Sequence, residues 1–360
     1  MKPNLQKKTD TILLIDDNFK RFINGFNIVA QRYEFTVVGF DTIETGLEYL
    51  NANEKTVGAV LLDLSFTPNN FEGVETLHLI KKNHLLLPVI ILTGGVSENE
   101  LKIAMECVQK GAFNYIKKNE LNLDSLFHIL KFAVTQYQDK VESERYNSLK
   151  EEFRSKVISY EKMLYTTELI LKNLLAEKLM FTPTFEKRVK EFKSFYNKLK
   201  QKEEAEGFIS DPFKRIIDIA GLRVIFYNAV DLQIADEILK SSDDFLDMKN
   251  GGILSADDKI KTDGYRAKHF DIKLNPSKRL HLVEYVGLSD IPCEVQLKTI
   301  FAHSWSKVHH ALSYKENDST KLSSEDHNQL NVDFIEAAKN LESIEQQITN
   351  ICEKYYPSTK

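Results

Sequence analysis

The fold of the first third of the chain is decided by the stretch TILLID at Thr11–Asp16, an apolar run that ends in a carboxylate. Stretches of the same kind follow at Phe35–Phe40 (FTVVGF), Gly58–Asp63 (GAVLLD), Pro88–Thr93 (PVIILT) and, more briefly, Asn114–Ile116. Helix-like sequence separates them near residues 18–32, 42–53, 72–83 and 98–110. Short apolar strands that alternate with helices predict an α/β domain in which a doubly wound, five-stranded parallel sheet is covered on both faces.

Polar side chains stand where the predicted strands end, and ligands of parallel sheets bind beyond those carboxyl ends. Three carboxylates that converge there repel one another unless a cation neutralises them, and oxygen ligands suit Mg²⁺. A carboxylate beside the metal can attack a phosphoryl group, while a hydroxyl and an ammonium group hold the phosphoryl oxygens. The alternative is that these residues only start loops and cap helices. The residues concerned are Asp16, Asp17, Asp63, Thr93 and Lys118.

The pattern resembles the receiver domain of two-component response regulators over about residues 8–138. The matching pieces are LLIDD (13–17), LLDL (61–64), ILTG (91–94) and GAFNYIKK (111–118). The resemblance implies that Asp63 accepts a phosphoryl group from a sensor histidine kinase. It also implies a Mg²⁺ site and a phosphoryl-binding switch. The implied magnesium ligands are Asp16, Asp17 and Asp63, and the implied phosphoryl-binding and switch residues are Thr93, Lys118 and Tyr115.

Composition and charge narrow the class of protein. The chain has 360 residues, 48 basic and 53 acidic, so its net charge of −5 argues against a general nucleic-acid or anionic-membrane coat. The longest apolar run is far shorter than the roughly 20 residues that span a bilayer, and the N-terminus has no signal-peptide core. Three cysteines without CxxC spacing fit a reducing compartment. These features predict a cytoplasmic protein without membrane contact.

The sequence from Leu121 to about Met180 contains neither proline nor glycine, and apolar residues recur in it at helical spacing. Charged stretches such as DKVESERYNSLKEEFRSK favour a solvated helix or a coiled coil. We therefore predict a long helical connector. A helix of this kind either transmits a rotation or a dimer contact to the C-terminal half of the chain, or it is a spacer.

A basic segment comes after the connector. Residues 186–202 contain seven basic and two acidic residues within an acidic chain. The pattern predicts a helix that begins near Phe185, with Lys190, Ser194 and Lys198 on one face because they are spaced by four. Local basicity of this kind indicates a phosphate-rich ligand. The alternative is a solvated, lysine-rich face.

Two strands with a polar face are predicted in the same region. Period-two alternation occurs in GYRAKHFDIKL (264–274) and in CEVQLKT (293–299), and another strand begins near Leu222, with Asp218 before it and Arg223 at its start. Asp218 and Glu294 are two candidate metal carboxylates near the basic segment. Carboxylates, Mg²⁺ and several cations are the parts that phosphoryl-type transfer requires. The alternative is that the polar faces only meet solvent.

Taken together, the basic segment, these strands and the helix after them resemble the synthetase domain of the RelA/SpoT family of guanosine tetraphosphate and pentaphosphate synthetases, over about residues 180–316. The motifs are RVKEFKSFYNK (188–198), DIAGLRV (218–224), GYRAKH (264–269), EVQLKT (294–299) and FAHSWSKVHHALSYK (301–315). Lys298 stands where the family usually has arginine. The likeness predicts a C-terminal α+β domain with a mixed sheet.

The resemblance implies residue roles for ATP, the acceptor nucleotide and Mg²⁺. The implied ATP-binding residues are Arg188, Lys190, Ser194, Lys198 and Arg223. Asp218 and Glu294 would hold Mg²⁺, and Glu294 would also be the base for the acceptor 3′-hydroxyl. The implied acceptor residues are Tyr265, stacked on guanine, with His269 and Gln296.

We therefore predict a receiver domain at 1–138, a helical connector at 139–180, a nucleotide pyrophosphokinase domain at 181–320 and a C-terminal helix at 321–360. The predicted activity transfers pyrophosphate from ATP to the 3′-hydroxyl of GDP or GTP under the control of Asp63 phosphorylation. The direction of that control stays open, and a homodimer is expected by resemblance only. Two alternatives stay open: a toxin-like enzyme acting on tRNA 3′ ends or adenine nucleotides, and a non-catalytic nucleotide-binding regulator.

Overall fold

The computed structural model describes residues 10–66, 70–94, 97–248, 254, 257–260, 264, 266–279, 285, 287–315 and 324–355. Its chain divides into two compact units. The first comprises residues 1–151 with 203–208, and the second comprises residues 152–202 with 209–360. Each unit is built around its own sheet.

The first unit contains the predicted parallel sheet. Its strands are β1 Thr11–Ile15, β2 Thr36–Phe40, β3 Val57–Asp63, β4 Val89–Thr93 and β5 Asn114–Lys117. They lie in the order β2-β1-β3-β4-β5, and every neighbouring pair is parallel. The helices between them are α1 Ile23–Arg32, α2 Ile43–Ala52, α3 Glu72–Asn83 and α4 Glu98–Gln109. The predicted α/β architecture is confirmed.

Apolar side chains cover both faces of this sheet. On one face Leu13 and Val60 pack with Leu77 of α3. On the other face Ile12 packs with Phe26 of α1. The three central strands, β1, β3 and β4, read as continuous apolar runs because each of their faces is buried under helices.

A single helix of 53 residues, α5 Leu123–Leu175, comes after the sheet. Its residues Leu126, Phe127 and Leu130 belong to the core of the first unit. Met163 and Leu171, which lie further along the helix, are also fully buried. The predicted long helix is thus present and contributes residues to both units.

The second unit contains a mixed sheet. Its strands are β6 Thr184–Val189, β7 Ala220–Phe226, β8 Phe245–Asp247, β9 Asp257–Ile260, β10 Arg266–Leu274 and β11 Cys293–Thr299. The order is β6-β7-β11-β10-β8, and β9 also pairs with β10. The pair β7–β11 is parallel and the remaining pairs are antiparallel. This confirms the predicted mixed-sheet α+β domain.

Helices surround the mixed sheet. They are α6 Phe192–Glu206, α7 Pro212–Arg215, α8 Ala229–Ser241, α9 Pro276–Arg279, α10 Ile300–Lys315 and α11 Ser324–Tyr355. Helix α8 packs on β7 and β11, and α11 packs against α8 and α10. Asn228 caps α8, since its side chain accepts a hydrogen bond from the backbone N–H of Asp231.

The helix predicted to begin near Phe185 is wrong in its first half. Residues Thr184–Val189 form β6, which pairs antiparallel with β7, and the helix begins only at Phe192. Lysine, arginine and glutamate favour helix locally, but an open edge of β7 can take up another strand and pair its backbone groups. Arg188 therefore lies on a strand, whereas Ser194 and Lys198 lie on α6.

Within the part of the chain that the structure describes, no helix is both long enough and apolar enough to cross a membrane.

Candidate functional site

Three carboxylates meet at the carboxyl end of the parallel sheet. Asp16 and Asp17 follow β1, and Asp63 is the last residue of β3. One oxygen from each of the three lies within 4.8 Å of the others. The ammonium group of Lys118, just after β5, lies 2.8 Å from Oδ2 of Asp16 and 2.8 Å from Oδ2 of Asp63. The strand order brings these residues together from distant parts of the sequence.

Burial dominates the electrostatics of this cluster. Asp16 is 0% exposed and Asp63 is 4% exposed. Burial raises the pKa of Asp63 to about 6, the neighbouring charge of Asp16 adds to the rise, and Lys118 opposes it. Three carboxylates that offer oxygen donors to one point fit the ligand preference of Mg²⁺, whose charge would also favour the ionised form of Asp63.

The predicted phosphoryl-binding hydroxyl has a partner that the sequence did not suggest. Thr93 ends β4 and is fully buried, and its Oγ1 donates a 2.5 Å hydrogen bond to Oε1 of Glu100 in the first turn of α4. Tyr115, the predicted switch residue, lies on β5 and packs half-buried against the core of the first unit. The two residues therefore lie on neighbouring strands.

In the second unit, strand pairing places polar side chains in a row across the sheet. Glu186 of β6 lies opposite Arg223 of β7, Arg223 lies opposite Gln296 of β11, and Gln296 lies opposite His269 of β10. Residues that are directly paired share a face of the sheet. The row thus joins four strands on one face, while alternate residues of β7 and β11 are buried on the other.

Hydrogen bonds link this row to Glu294. Nδ1 of His269 lies 2.9 Å from Oε1 of Glu294, and Nε2 of Gln296 donates to Oε2 of Glu294 at 2.6 Å. The other end of the Gln296 amide accepts from Nε of Arg223 at 3.3 Å. Because an ionised carboxylate can only accept, Nδ1 of His269 carries the hydrogen in this pair. Both oxygens of Glu294 are therefore held in place.

Asp218 is held by two lysines. It lies in a 3₁₀ turn before β7, with its Oδ2 2.5 Å from Nζ of Lys190 and 2.7 Å from Nζ of Lys198. Burial raises the pKa of Asp218, but the hydrogen bonds and charges of the two lysines outweigh burial, so the net pKa is lowered. Burial also lowers the pKa of Lys190, against the pull of Asp218. The carboxylate is thus ionised between two cations.

The donor set of Asp218 and Glu294 is compatible with Mg²⁺. Oδ1 of Asp218 is buried and has no hydrogen-bond partner among the described residues, which leaves an anionic oxygen for a cation. The oxygens of Glu294 are hydrogen-bonded, but each carboxylate oxygen has a second acceptor position. One or two carboxylates together with substrate phosphates are a common magnesium ligand set.

The remaining predicted residues lie on β6 and α6 or outside the described part of the chain. Arg188 is exposed on β6 opposite Gly221, and Ser194 is half-buried on α6, one turn from Lys198. Tyr265, the residue predicted to stack on guanine, lies outside the described residues.

The sequence-based prediction missed Glu186 as a site residue. Its carboxylate accepts from Nη1 of Arg223 at 3.1 Å and from Nζ of Lys307 at 2.7 Å, and Nε2 of His303 lies 3.5 Å from it. A strand assignment for residues 184–189 would have placed Glu186 and Arg188 on one face.

Lys298 is a second residue whose surroundings the sequence did not predict. Its ammonium group is buried and donates to the hydroxyl of Ser306. Burial, together with the charge of Arg223, lowers the pKa of Lys298 to about 7.

Two protein-family models match two separate parts of the chain. Residues 12–131 match the family model of the response regulator receiver domain. Residues 187–319 match the region found in RelA/SpoT proteins. The chain therefore carries a response regulator receiver domain followed by a RelA/SpoT region.

Individual relatives resemble one part or the other. The GTP pyrophosphokinase YwaC from Bacillus subtilis is 33% identical over 134 residues, which are 36% of this chain and 58% of that protein. The DNA-binding transcriptional regulator NtrC from Escherichia coli K12 is 33% identical over 100 residues, 28% of this chain and 20% of that protein. The chain spans about a quarter of the length of the NtrX-like response regulators from Rickettsia that it matches.

Among solved structures, the small alarmone synthetase 1 from Bacillus subtilis bound to its product pppGpp is 21% identical. The match covers 57% of this chain and 98% of that one, with a TM-score of 0.45.

Proposed function

We propose that the RelA/SpoT region transfers a pyrophosphoryl group from ATP to the 3′-hydroxyl of GDP or GTP. The observation that carries the proposal is the fixed carboxylate of Glu294, held by His269 and Gln296 on the same sheet as Asp218 with its two lysines. A base next to a cluster of cations is the arrangement that attack of a hydroxyl on a phosphoanhydride requires. Similarity to a GTP pyrophosphokinase supports the same reaction class.

In this reaction the acceptor 3′-oxygen attacks the β-phosphorus of ATP. A bond forms between that oxygen and the β-phosphorus, the bond from the β-phosphorus to the oxygen bridging it to the α-phosphorus breaks, and AMP leaves. Glu294 takes the proton of the 3′-hydroxyl as the new bond forms. The hydrogen bonds from His269 and Gln296 hold the carboxylate in one orientation, which reduces the cost of aligning it with the nucleophile.

The cations of the site would bind ATP. Lys190 and Lys198 now neutralise Asp218, and phosphate oxygens can replace that carboxylate as their partners. Arg223 lies between Glu186 and Gln296 and would contact the ATP end of the row, as would the exposed Arg188. Mg²⁺ held by Asp218 and Glu294 would neutralise charge on the transferred group.

The acceptor nucleotide would lie at the β10 end of the row. His269 is the member of the row on that strand, and Gln296 lies opposite it. Tyr265 would stack on guanine, a contact worth roughly 1–3 kcal/mol by analogy with base stacking in nucleic-acid binders.

The receiver domain would regulate this activity. A sensor histidine kinase would transfer its phosphoryl group to Asp63: the nitrogen–phosphorus bond of phosphohistidine breaks and a bond from phosphorus to a carboxylate oxygen of Asp63 forms. Thr93 and Lys118 would then bind phosphoryl oxygens, and Tyr115 would respond to the new position of Thr93. The helix α5, with residues in both units, is the element available to pass the change on.

The first experiment uses the purified full chain, Mg²⁺ and γ-labelled ATP, with GDP, GTP, ATP or deacylated tRNA as the acceptor. Label in GDP or GTP, lost in Glu294→Gln, supports the proposal. Label only in tRNA or in an adenine nucleotide assigns the chain to the toxin-like alternative. Absence of transfer to every acceptor, with or without BeF₃⁻, overturns the enzymatic proposal and favours a nucleotide-binding regulator.

Control by the receiver is tested separately. Acetyl phosphate or BeF₃⁻ is added to the wild-type chain and to Asp63→Asn, and the transfer rate and oligomeric state are measured. A change of transfer rate or oligomeric state in the wild type but not in Asp63→Asn supports regulation through Asp63. The same response of both proteins contradicts it.

A further inference from the structure

The C-terminal helix α11 holds the start of β10 through two charged contacts. Arg266 is the first residue of β10, and its Nη1 lies 3.0 Å from Oε1 of Glu342. Its Nη2 lies 3.3 Å from Oε2 of Glu345. The two nitrogens of one guanidinium group therefore bind two carboxylates on consecutive turns of the same helix, and the planar group is fixed in direction as well as in position.

Burial differs between the two glutamates. The side chain of Glu345 is 11% exposed, that of Arg266 is 24% exposed, and that of Glu342 is 63% exposed. A carboxylate as buried as Glu345 is costly without a cation partner. The charge of Glu345 therefore needs Arg266 as its partner. Glu345 also contributes more to holding Arg266 than the exposed Glu342 does.

Two residues before Arg266, an apolar contact at Gly264 reinforces the two ion pairs. Gly264 has a φ of +98°, and a Cβ at this position would overlap the side chain of Ala338 on α11 and come within 3.3 Å of Trp305. Trp305 of α10 in turn donates from Nε1 to the carbonyl oxygen of Phe334 on α11 at 2.9 Å. Glycine is required here both for the positive φ and for the close approach of the helix.

Beyond Gly264 the helix does not pack tightly on the sheet. A cavity of about 310 Å³ lies between α11, α8 and the ends of β10 and β11, and Arg266, Leu297 and Glu345 are among the residues that line it. At this point, therefore, the ion pairs rather than an apolar core hold β10 against the helix.

We propose that Glu342 and Glu345 are positioning residues for the acceptor nucleotide, acting through Arg266. This inference rests on the proposed function, in which Tyr265 and His269 bind the acceptor. Gly264 and Arg266 are the two sequence neighbours of Tyr265, and α11 holds both. His269 lies on the same strand, three residues after Arg266. Since a displacement of about 1 Å at a positioning residue can cost a hundredfold, the helix fixes the position of this end of the site, on which binding of the acceptor depends.

The test compares Glu342→Gln/Glu345→Gln with the wild type in the transfer assay on the full chain. The neutral amides keep the size of the side chains and remove the charges. The expected result is an acceptor KM raised about tenfold with the ATP KM unchanged within about twofold. Glu353→Gln, an exposed glutamate of α11, is the matched control. An unchanged acceptor KM, or an equal rise of both KM values, overturns the proposal, because a merely structural role would affect both substrates.

A second measurement does not depend on activity. Hydrogen exchange of the amides of residues 266–270 is compared between the double variant, Glu342→Gln alone and the wild type, without nucleotide. We expect faster exchange in the double variant and a smaller increase in Glu342→Gln, whose exposed carboxylate makes the milder change. If the wild type lacks transfer activity, the proposed function fails, and this exchange measurement alone decides whether α11 holds the strand. Equal exchange in all three proteins overturns that conclusion.

Discussion

The hydroxyl of Thr93 is bound to Glu100 at 2.5 Å in the structure, so the group proposed to bind the phosphoryl oxygens already donates to a carboxylate. If Thr93 donates to a phosphoryl group on Asp63, as proposed, that hydrogen bond has to break. Glu100→Ala should therefore raise the affinity of the receiver for BeF₃⁻ by about tenfold, since a hydrogen bond to a charged group contributes about 1.5–3 kcal/mol. Titration of BeF₃⁻ in the presence of Mg²⁺ measures the effect.

The matched control for this variant is Glu98→Ala, an exposed glutamate in the same turn of α4. It removes the same charge near the helix N-terminus without touching Thr93. Equal affinities for the two variants would show that the contact between Thr93 and Glu100 does not restrain phosphorylation.

The raised pKa of Asp63 predicts a pH-dependent stability. The carboxyl has an ordinary pKa of 3.8 and a pKa of about 6 in the folded protein, so the native state binds the extra proton between about pH 4 and 6. Stability therefore falls as pH rises through that window and stays lower above it. Without Mg²⁺ at pH 8, Asp63→Asn should be more stable than the wild type by up to about 3 kcal/mol.

Thermal unfolding in EDTA at pH 8 and pH 4.5 tests this prediction. The advantage of Asp63→Asn should largely disappear at the lower pH, where the native carboxyl is already neutral. Asp17→Asn, which alters the exposed member of the cluster, is the control for the loss of one carboxylate from the site. A constant difference at both pH values would contradict the assigned cause.

Glu186 should affect ATP rather than the acceptor. Its carboxylate fixes Arg223 and Lys307, and the hydrogen bond from Lys307 helps to lower its pKa against the effect of burial. Glu186→Gln should raise the ATP KM by roughly twofold to fivefold, as expected for partly exposed ion pairs worth up to about 1 kcal/mol. Steady-state kinetics with GDP held saturating measures this. Glu191→Gln, an exposed neighbour, should behave as wild type, and a selective change in the GDP KM would speak against the assignment.

Asp218 should determine the magnesium requirement. Its buried Oδ1 has no hydrogen-bond partner in the described part of the chain, and Asn at this position would offer no charge to a cation. Asp218→Asn should reduce transfer by at least about a hundredfold and raise the Mg²⁺ concentration needed for half-maximal rate. Asp290→Asn provides an exposed control. A variant that keeps the wild-type Mg²⁺ dependence would remove Asp218 from the ligand set.

Much of the fold could be read from the sequence because its signals are local. The apolar runs that end at Asp16, Asp63 and Thr93 are short and continuous, alternate with helix-like sequence and so indicate buried parallel strands, whose polar ends gather at one sheet edge. Period two in residues 266–274 and 293–299 likewise indicated a strand with a polar face and put Glu294 on that face. The role of His269 came from the resemblance to the RelA/SpoT family.

Tertiary structure decided what depends on partners distant in the sequence. Whether residues 184–189 form helix or strand depends on the free edge of β7, which local propensity does not report. The same holds for single side chains: Glu100, Glu186 and Glu345 look like ordinary surface glutamates in the sequence. Only the folded chain brings each to its cation or hydroxyl, because hydrogen bonds and ion pairs act over about 3 Å and carry no signature of their own along the chain.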